Sequence, residues 1–187
     1  MSALSSLRRG LAGISRATAL TGLYTLLVSA LLVSADIVIR KATNVAFVGI
    51  DELGGYAMAI ATSWSLAYAF FQGSHIRVNV IHMNLRPSLK AWLDVLAVLV
   101  TTVMVALLAH TSWLLAFDSW EFNAVSNTPL RLPLWIPQFM VLAGFVLFAL
   151  SAVVVFIESL LLALRGQYKD VIELVEEEEI SHAEGSS

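Results

Sequence analysis

Long uninterrupted apolar runs dominate the pattern of hydrophobic and polar positions along this chain. Four such blocks cover residues 17–39, 51–73, 89–117 and 134–164. A helix needs about 20 apolar residues to cross a hydrocarbon core about 30 Å thick, and each block reaches that length. The period of two that is typical of a membrane β-barrel is missing. The pattern therefore predicts an all-α integral membrane protein with four transmembrane helices.

The polar segments at the two ends divide the chain into three parts. Residues 1–16 form an N-terminal segment, residues 17–164 the transmembrane domain and residues 165–187 a tail with a run of glutamates. An acidic run without an apolar face is usually solvated, so we expect a disordered tail, with a docking segment as the alternative.

The fourth block is longer than a bilayer requires at about 1.5 Å of helix per residue. Pro129, Pro133 and Pro137 lie near its start, and each proline restricts the residue before it. We therefore expect either a strongly tilted helix or an extra interfacial segment at the membrane surface.

The first block has a rival interpretation as a cleaved signal peptide. Arg8, Arg9 and Arg16 precede it, and Val33-Ser34-Ala35 resembles a signal-peptidase site. The apolar region of a cleaved signal is about 7–15 residues long, and this block is longer. An uncleaved first helix is the favoured interpretation.

The distribution of lysine and arginine predicts the orientation in the membrane. One side carries Arg8, Arg9, Arg16, Arg77, Arg86, Lys90, Arg165 and Lys169. The other side carries only Arg40, Lys41 and Arg131. Cytoplasmic segments are enriched in these residues, so both termini are predicted to be cytoplasmic. The candidate contacts with lipid headgroups are Arg77, Arg86, Lys90, Trp92 and Trp135.

Ionisable side chains inside the apolar blocks are costly unless they have partners. Asp36 and Arg40 have i, i+4 spacing, which predicts an ion pair at the outer interface, with a substrate or ion ligand as the alternative. Asp94 is expected to pair with Lys90 rather than to relay protons. His110 lies deeper, and packing is favoured over a catalytic or metal-binding role.

The second predicted helix begins with two carboxylates, Asp51 and Glu52, that can cap free N–H groups and interact favourably with the helix dipole. Glu52 shares its side of the helix with a ridge of small residues: Gly55, Ala59, Ser63 and Ala67. Small residues allow close helix approach in membranes. The bulky side chains on or near the opposite face, expected to contact lipid or a partner, are Trp64, Tyr68 and Phe71.

Composition narrows the possible chemistry. Charged residues make up 13% of the chain, about half of the usual fraction in soluble domains. The chain has no cysteine, which excludes disulfides and thiolate chemistry. Histidine pairs for haem, phosphate-binding loops, catalytic motifs and a basic stripe for nucleic acid are all missing. We therefore expect no enzymatic activity, no catalytic or metal site, no cofactor and no nucleic-acid partner.

Two segments carry a family resemblance. The first contains Asp51-Glu52-Leu53, Trp64 and His75-Ile76-Arg77-Val78-Asn79, and the second contains Ser126-Asn127-Thr128-Pro129-Leu130, Pro133-Leu134-Trp135 and Gly144. With four spans, this order resembles the DctQ-like small membrane subunit of tripartite ATP-independent periplasmic (TRAP) transporters over about residues 15–165. The chain departs from the family at two places. It has Phe70-Phe71-Gln72 where many members have an arginine, and it has Asn79 where members often have an aspartate.

The resemblance implies a scaffold subunit in the bacterial inner membrane. It would brace a large DctM-like elevator subunit, which holds the substrate and sodium sites, and help to dock a periplasmic DctP-like binding protein. The solute would be small, often a carboxylate, and its uptake would use an ion gradient. A self-sufficient oligomeric transporter or channel is the alternative, and a membrane enzyme or electron-transfer subunit is a third.

The candidate contacts with partner subunits are Asp51, Glu52, Gly55, Ala59, Ser63, Ala67, Glu121, Ser126 and Arg131. Asp51, Glu52 and the polar part of the third loop are expected to face the binding protein.

Overall fold

A computed structural model describes residues 2–44, 47–72 and 86–176. Its helices are α1 (Ser2–Thr43), α2 (Ile50–Phe71), α3 (Pro87–Glu121), α4 (Trp135–Leu164) and α5 (Tyr168–Glu176). The only β-type pairing in these ranges is an isolated bridge between Val125 and Pro133. The prediction of an all-α protein is confirmed for the part of the chain described.

Three of these helices are long and apolar enough to cross a membrane: α1 from Leu4, α3 and α4. The 22 residues of α2 do not meet that criterion, because small residues, hydroxyls and two carboxylates dilute its apolar content. The fourth span and the cytoplasmic position of the termini stay predictions. The 42 residues of α1 extend about 63 Å, so the helix runs through the segment 1–16 that the sequence sets apart.

The pair α2 and α4 forms the centre of the bundle, with α1 packed mainly on α2 and α3 packed on α4. Glycines mark the closest approaches. A Cβ on Gly144 of α4 would lie 2.6 Å from the backbone carbon of Ser63, and one on Gly22 of α1 would lie 3.1 Å from the Ala61 Cα. Small residues thus bring the helix backbones together, as expected in membranes.

The small-residue ridge of α2 has two different halves. Ser63 and Ala67 are buried in the packing against α4, so this half does serve close helix approach. Gly55 and Ala59 are exposed, and a Cβ on Gly55 would meet nothing within 4 Å. Only the exposed half is open to another subunit.

The aromatic face of α2 differs from the expectation that it contacts lipid or a partner. Phe71 is only 5% exposed and packs with Leu11 of α1 and Val154 of α4. The indole N–H of Trp64 donates to the Met140 carbonyl of α4 at 2.8 Å. The expectation is wrong for Phe71, which α1 and α4 cover, whereas Trp64 stays partly exposed beside its hydrogen bond to α4.

One stripe of α1 faces the bundle, and its members are Leu11, Ser15, Gly22 and Asp36. The Thr18 hydroxyl on the same side lies within hydrogen-bonding distance of the Trp64 carbonyl, at 3.3 Å. Most of the remaining α1 surface is exposed, including Tyr24, Leu27 and Leu31. This helix is therefore attached to the bundle along a single line.

The end of the bundle that is predicted to be cytoplasmic contains two features that the sequence did not predict. Arg8 of α1 pairs with Glu158 of α4, with Arg8 Nε 3.3 Å from Glu158 Oε2. Helix α5 packs against the ends of α3 and α4 through Val171, which is fully buried. Residues 168–176 thus form a packed helix where we expected a disordered tail, because apolar residues at helical spacing outweigh the neighbouring glutamates.

Candidate functional site

The outer end of the bundle, predicted to be periplasmic, is where α1 approaches α2 and where the loop of residues 122–134 joins α3 to α4. The first of two polar clusters here centres on Asp36, which is 1% exposed. Its carboxylate accepts hydrogen bonds from the Arg40 guanidinium and, at 2.9 Å, from the Phe47 N–H. Arg40 Nη2 also lies 3.5 Å from Asp51 Oδ2. The predicted Asp36–Arg40 ion pair is confirmed, and it extends to the start of α2.

The second cluster centres on Glu52. The Tyr56 hydroxyl donates to Glu52 Oε1 and the Thr128 hydroxyl to Oε2. The Ser126 and Thr128 hydroxyl oxygens lie 3.0 Å apart, and the Thr128 N–H donates to Ser126 Oγ at 3.2 Å. Hydrogen bonds to an ionised group are stronger than neutral ones, so one carboxylate ties the loop firmly to α2.

These contacts change the interpretation of the two carboxylates that open α2. Gly49 is the N-cap of this helix and no side chain caps it, so Asp51 and Glu52 bind side chains instead of capping N–H groups. Tyr56 could have been found in the sequence, since it follows Glu52 at i+4. The partner Thr128 is 76 positions away, and no local pattern indicates it.

The loop of residues 122–134 closes on itself as a short hairpin. The Ser126 N–H donates to the Leu132 carbonyl at 2.9 Å, and the Leu134 N–H donates to the Ala124 carbonyl at 3.0 Å. Arg131 turns the chain with a φ of +45°. The loop therefore has a defined shape before any partner binds.

Leu130 attaches this loop to the start of α2. Its side chain lies so close to Gly49 that a Cβ there would be 1.5 Å from Leu130 Cδ1. Gly49 also has a φ of +89°, which favours glycine on its own. The left-handed φ thus favours glycine at this position, and any larger residue would also have to displace the Leu130 side chain.

The tip of the loop and the neighbouring end of α3 stay exposed. Phe122 is 77% exposed and Val125 is 48% exposed, and the charged side chains of Glu121 and Arg131 are exposed nearby in the chain. Ser126, by contrast, is 8% exposed and belongs to the Glu52 cluster. We call Glu121, Phe122, Val125 and Arg131 the loop tip. Its mixture of apolar and charged groups suits binding and offers no arrangement for bond chemistry.

Other candidate residues lie away from this end. Ala59 lines a cleft of about 210 Å³ between α2, α3 and α4, together with Tyr56, Ser112 and Gln138. The cleft is mostly apolar. Within the three described ranges, no group of three or more His, Cys, Asp or Glu residues is placed to hold a metal ion.

The candidate headgroup contacts are at the ends of their helices. Arg86 precedes α3, Trp92 is 43% exposed in its first turns, and Trp135 begins α4 with its ring in edge contact with Phe139. Lys90 is partly buried in the first turn of α3, and its predicted pairing with Asp94 stays a prediction. Arg77 lies outside the described residues.

Comparison with known proteins gives one family. The model for "Tripartite ATP-independent periplasmic transporters, DctQ component" matches residues 29–162. No curated protein and no solved structure matches the chain. The matched segment spans the outer part of α1, all of α2 and α3, the closed loop and nearly all of α4. The family is a transporter component and not an enzyme family, and the match confirms the resemblance seen in the sequence. The chain therefore belongs to the DctQ family, the small membrane subunit of TRAP transporters.

Proposed function

We propose that this chain is the fixed scaffold subunit of a sodium-coupled TRAP symporter in the bacterial inner membrane. It braces the large DctM-like subunit and helps to dock a periplasmic DctP-like binding protein that delivers a small carboxylate. In this proposal α2 also crosses the membrane, which gives four spans in total, and both termini lie in the cytoplasm. The observation that carries the proposal is the outer loop, which is attached to the start of α2 through Thr128 and Leu130 while the residues of the loop tip stay exposed.

The interior of the bundle supports a scaffold rather than an independent transporter. The buried hydroxyls of Ser15, Ser63 and Ser151 donate to carbonyls of their own helices. The buried charged groups described, at Asp36, Asp94 and Glu158, lie toward the helix ends. Among the described residues these groups form no connected polar route through the middle of the bundle, which disfavours the alternative of a self-sufficient channel.

The outer surface of the bundle also supports the scaffold function. An elevator needs a stationary part that resists being dragged along by the moving domain, and a wide lipid contact provides that resistance. Helix α1 presents most of its length to the surroundings, and its exposed side chains are mostly apolar through the predicted membrane region. The bundle is thus suited to widen the fixed wall of a transporter.

The ordered loop of residues 122–134 supports docking of a soluble protein. Binding loses less conformational entropy when the contacting loop is already ordered. Phe122 is a large apolar side chain exposed beyond the end of α3, with Glu121 and Arg131 available for charged contacts. Such a mixture of an aromatic group and charges is common in protein interfaces.

The test is reconstitution of defined combinations in proteoliposomes. We expect uptake of a radiolabelled carboxylate under a sodium gradient only when the large subunit, this chain and the binding protein are all present. Uptake by this chain alone would establish the self-sufficient transporter instead. Full uptake by the large subunit and binding protein without this chain would reject the scaffold function.

A further inference from the structure

His110 is the one acidic or basic side chain in the described ranges that lies exposed more than one turn inside a predicted span. It is about 12 Å along α3 from Asp118, which marks the predicted outer boundary. The other charged residues described lie toward the ends of the predicted spans or outside them. An imidazole facing lipid tails is costly because the tails offer no hydrogen-bonding group.

Exposed hydroxyl groups on the same bundle avoid this cost. Thr21, Thr62 and Thr111 each donate to a backbone carbonyl four residues earlier, at 2.7–3.0 Å. They need no partner outside their own helix. Neutral imidazole carries one N–H donor and one acceptor nitrogen, and no described residue hydrogen-bonds with His110.

The surroundings of His110 form a continuous exposed surface along α3. By helical spacing, Val103, Ala106, Leu114 and Phe117 share the side of His110. Val103 is 52% exposed, Leu114 48% and Phe117 38%, and Ala106 is exposed as well. We call these five residues the His110 face. Ala106, one turn before the histidine, leaves room for another helix to come close.

We propose that the His110 face binds the large membrane subunit, whose contacting helix supplies a hydrogen-bonding group at the depth of the imidazole. This inference rests on the proposed function, because it names the surface used by that same partnership. Helix α1 is the competing surface, since Tyr24 is 64% exposed there. The phenol of Tyr24 has one hydroxyl that needs a hydrogen bond, whereas the imidazole of His110 has both a donor and an acceptor and gains a charge on protonation. The His110 face therefore has the greater need of a partner.

Photo-cross-linking locates the contact directly. The chain has no cysteine, so a benzophenone maleimide reacts at one introduced position when the large subunit is also cysteine-free. We compare Leu107→Cys, one turn from His110 and 60% exposed at the wild-type residue, with Leu27→Cys beside Tyr24, where the wild-type residue is 53% exposed. We expect an adduct with the large subunit from Leu107→Cys and none from Leu27→Cys.

Substitution of the histidine gives a second, independent readout. His110→Leu should lower the amount of large subunit that co-purifies in detergent by about tenfold, the effect of one hydrogen bond within a membrane interface. His110→Gln keeps a donor and an acceptor and should restore most of the recovery. Thr111→Val is the matched control and should leave recovery unchanged, because the Thr111 hydroxyl is satisfied within α3.

The outcomes separate this inference from the function on which it rests. An adduct of Leu107→Cys with lipid or with a second copy, while the large subunit still co-purifies, overturns the inference and leaves the proposed function standing. So does full recovery of the large subunit with His110→Leu. If the wild-type chain does not co-purify with the large subunit, the proposed function fails as well.

Discussion

At the scale of single residues, Glu52 and Asp36 show how a charge near a membrane boundary can hold two elements together. Each carboxylate accepts hydrogen bonds from groups on different segments, and neither needs a bound ion to be satisfied. Asp36 joins the end of α1 to the Phe47 backbone, and Glu52 joins α2 to Thr128 in the outer loop. Because the partners come from separate segments, removing either carboxylate should loosen a junction rather than one helix.

We predict that Glu52→Gln lowers the melting temperature of the purified subunit, because the Tyr56 and Thr128 hydroxyls lose the charged acceptor to which both donate. The measurement is thermal unfolding in detergent. Glu121→Gln is the control, since Glu121 is exposed in the same region. Equal melting temperatures for the two variants would show that the Glu52 cluster does not hold the loop.

At the scale of elements, the closest contacts between helices occur at glycines, which have no side chain to keep the backbones apart. Gly144 and Gly55 both lie inside helices, yet only Gly144 touches a neighbouring backbone. The sequence indicates the ridge on α2 through its four-residue spacing. It does not indicate which half of the ridge α4 covers, because that depends on the relative height of helices distant in the chain.

We predict opposite effects of one added methyl group at these two glycines. Gly144→Ala should destabilise the subunit by about 1–3 kcal/mol, because the new Cβ overlaps the Ser63 backbone and forces α2 and α4 apart. Gly55→Ala should be neutral or stabilise by up to about 1 kcal/mol through helix propensity. Thermal unfolding of the isolated subunit distinguishes them, and a loss of stability at Gly55 as large as at Gly144 would contradict the close approach described.

The outer loop is the other element with a function of its own. We predict that Glu121→Arg or Arg131→Glu weakens docking of the binding protein and lowers uptake severalfold at limiting binding protein, most clearly at low salt, because charges at an interface rim act on association. Lys41→Glu, another exposed charge on the same predicted side, should change uptake little. Unchanged uptake with normal expression of both loop variants would reject docking at the loop tip.

At the scale of the whole molecule, hydrophobic length is enough to predict the four long helices, and the positions of the charges indicate where the predicted spans end. The long-range contacts that hold the bundle together cannot be predicted from the sequence in the same way. Arg8 meets Glu158 and Glu52 meets Thr128 across long stretches of chain, so neither pair leaves a local pattern. The acidic composition after Arg165 likewise obscured the short apolar face of α5.

The predicted orientation can be tested on the whole molecule with the same cysteine-free background. We expect Phe122→Cys to react with a membrane-impermeant maleimide in spheroplasts, because Phe122 is 77% exposed at the outer end. Glu173→Cys, on an exposed position of α5, should react only after the membrane is opened. The reverse labelling pattern would place the loop of residues 122–134 in the cytoplasm and α5 in the periplasm.

The attachment between Glu52 and Thr128 also has a consequence for the order in which this protein can be built. Synthesis proceeds from the N-terminus, so the ribosome completes α2 well before it makes the loop that satisfies Glu52. During that interval α2, the one long helix described that is not apolar enough by itself to count as a span, has only α1 beside it, and the glycine contact at Gly22 supplies their first close packing. We expect a nascent chain that stops after α3 to expose α2 to quality-control proteases, and completion of α4 to end that exposure.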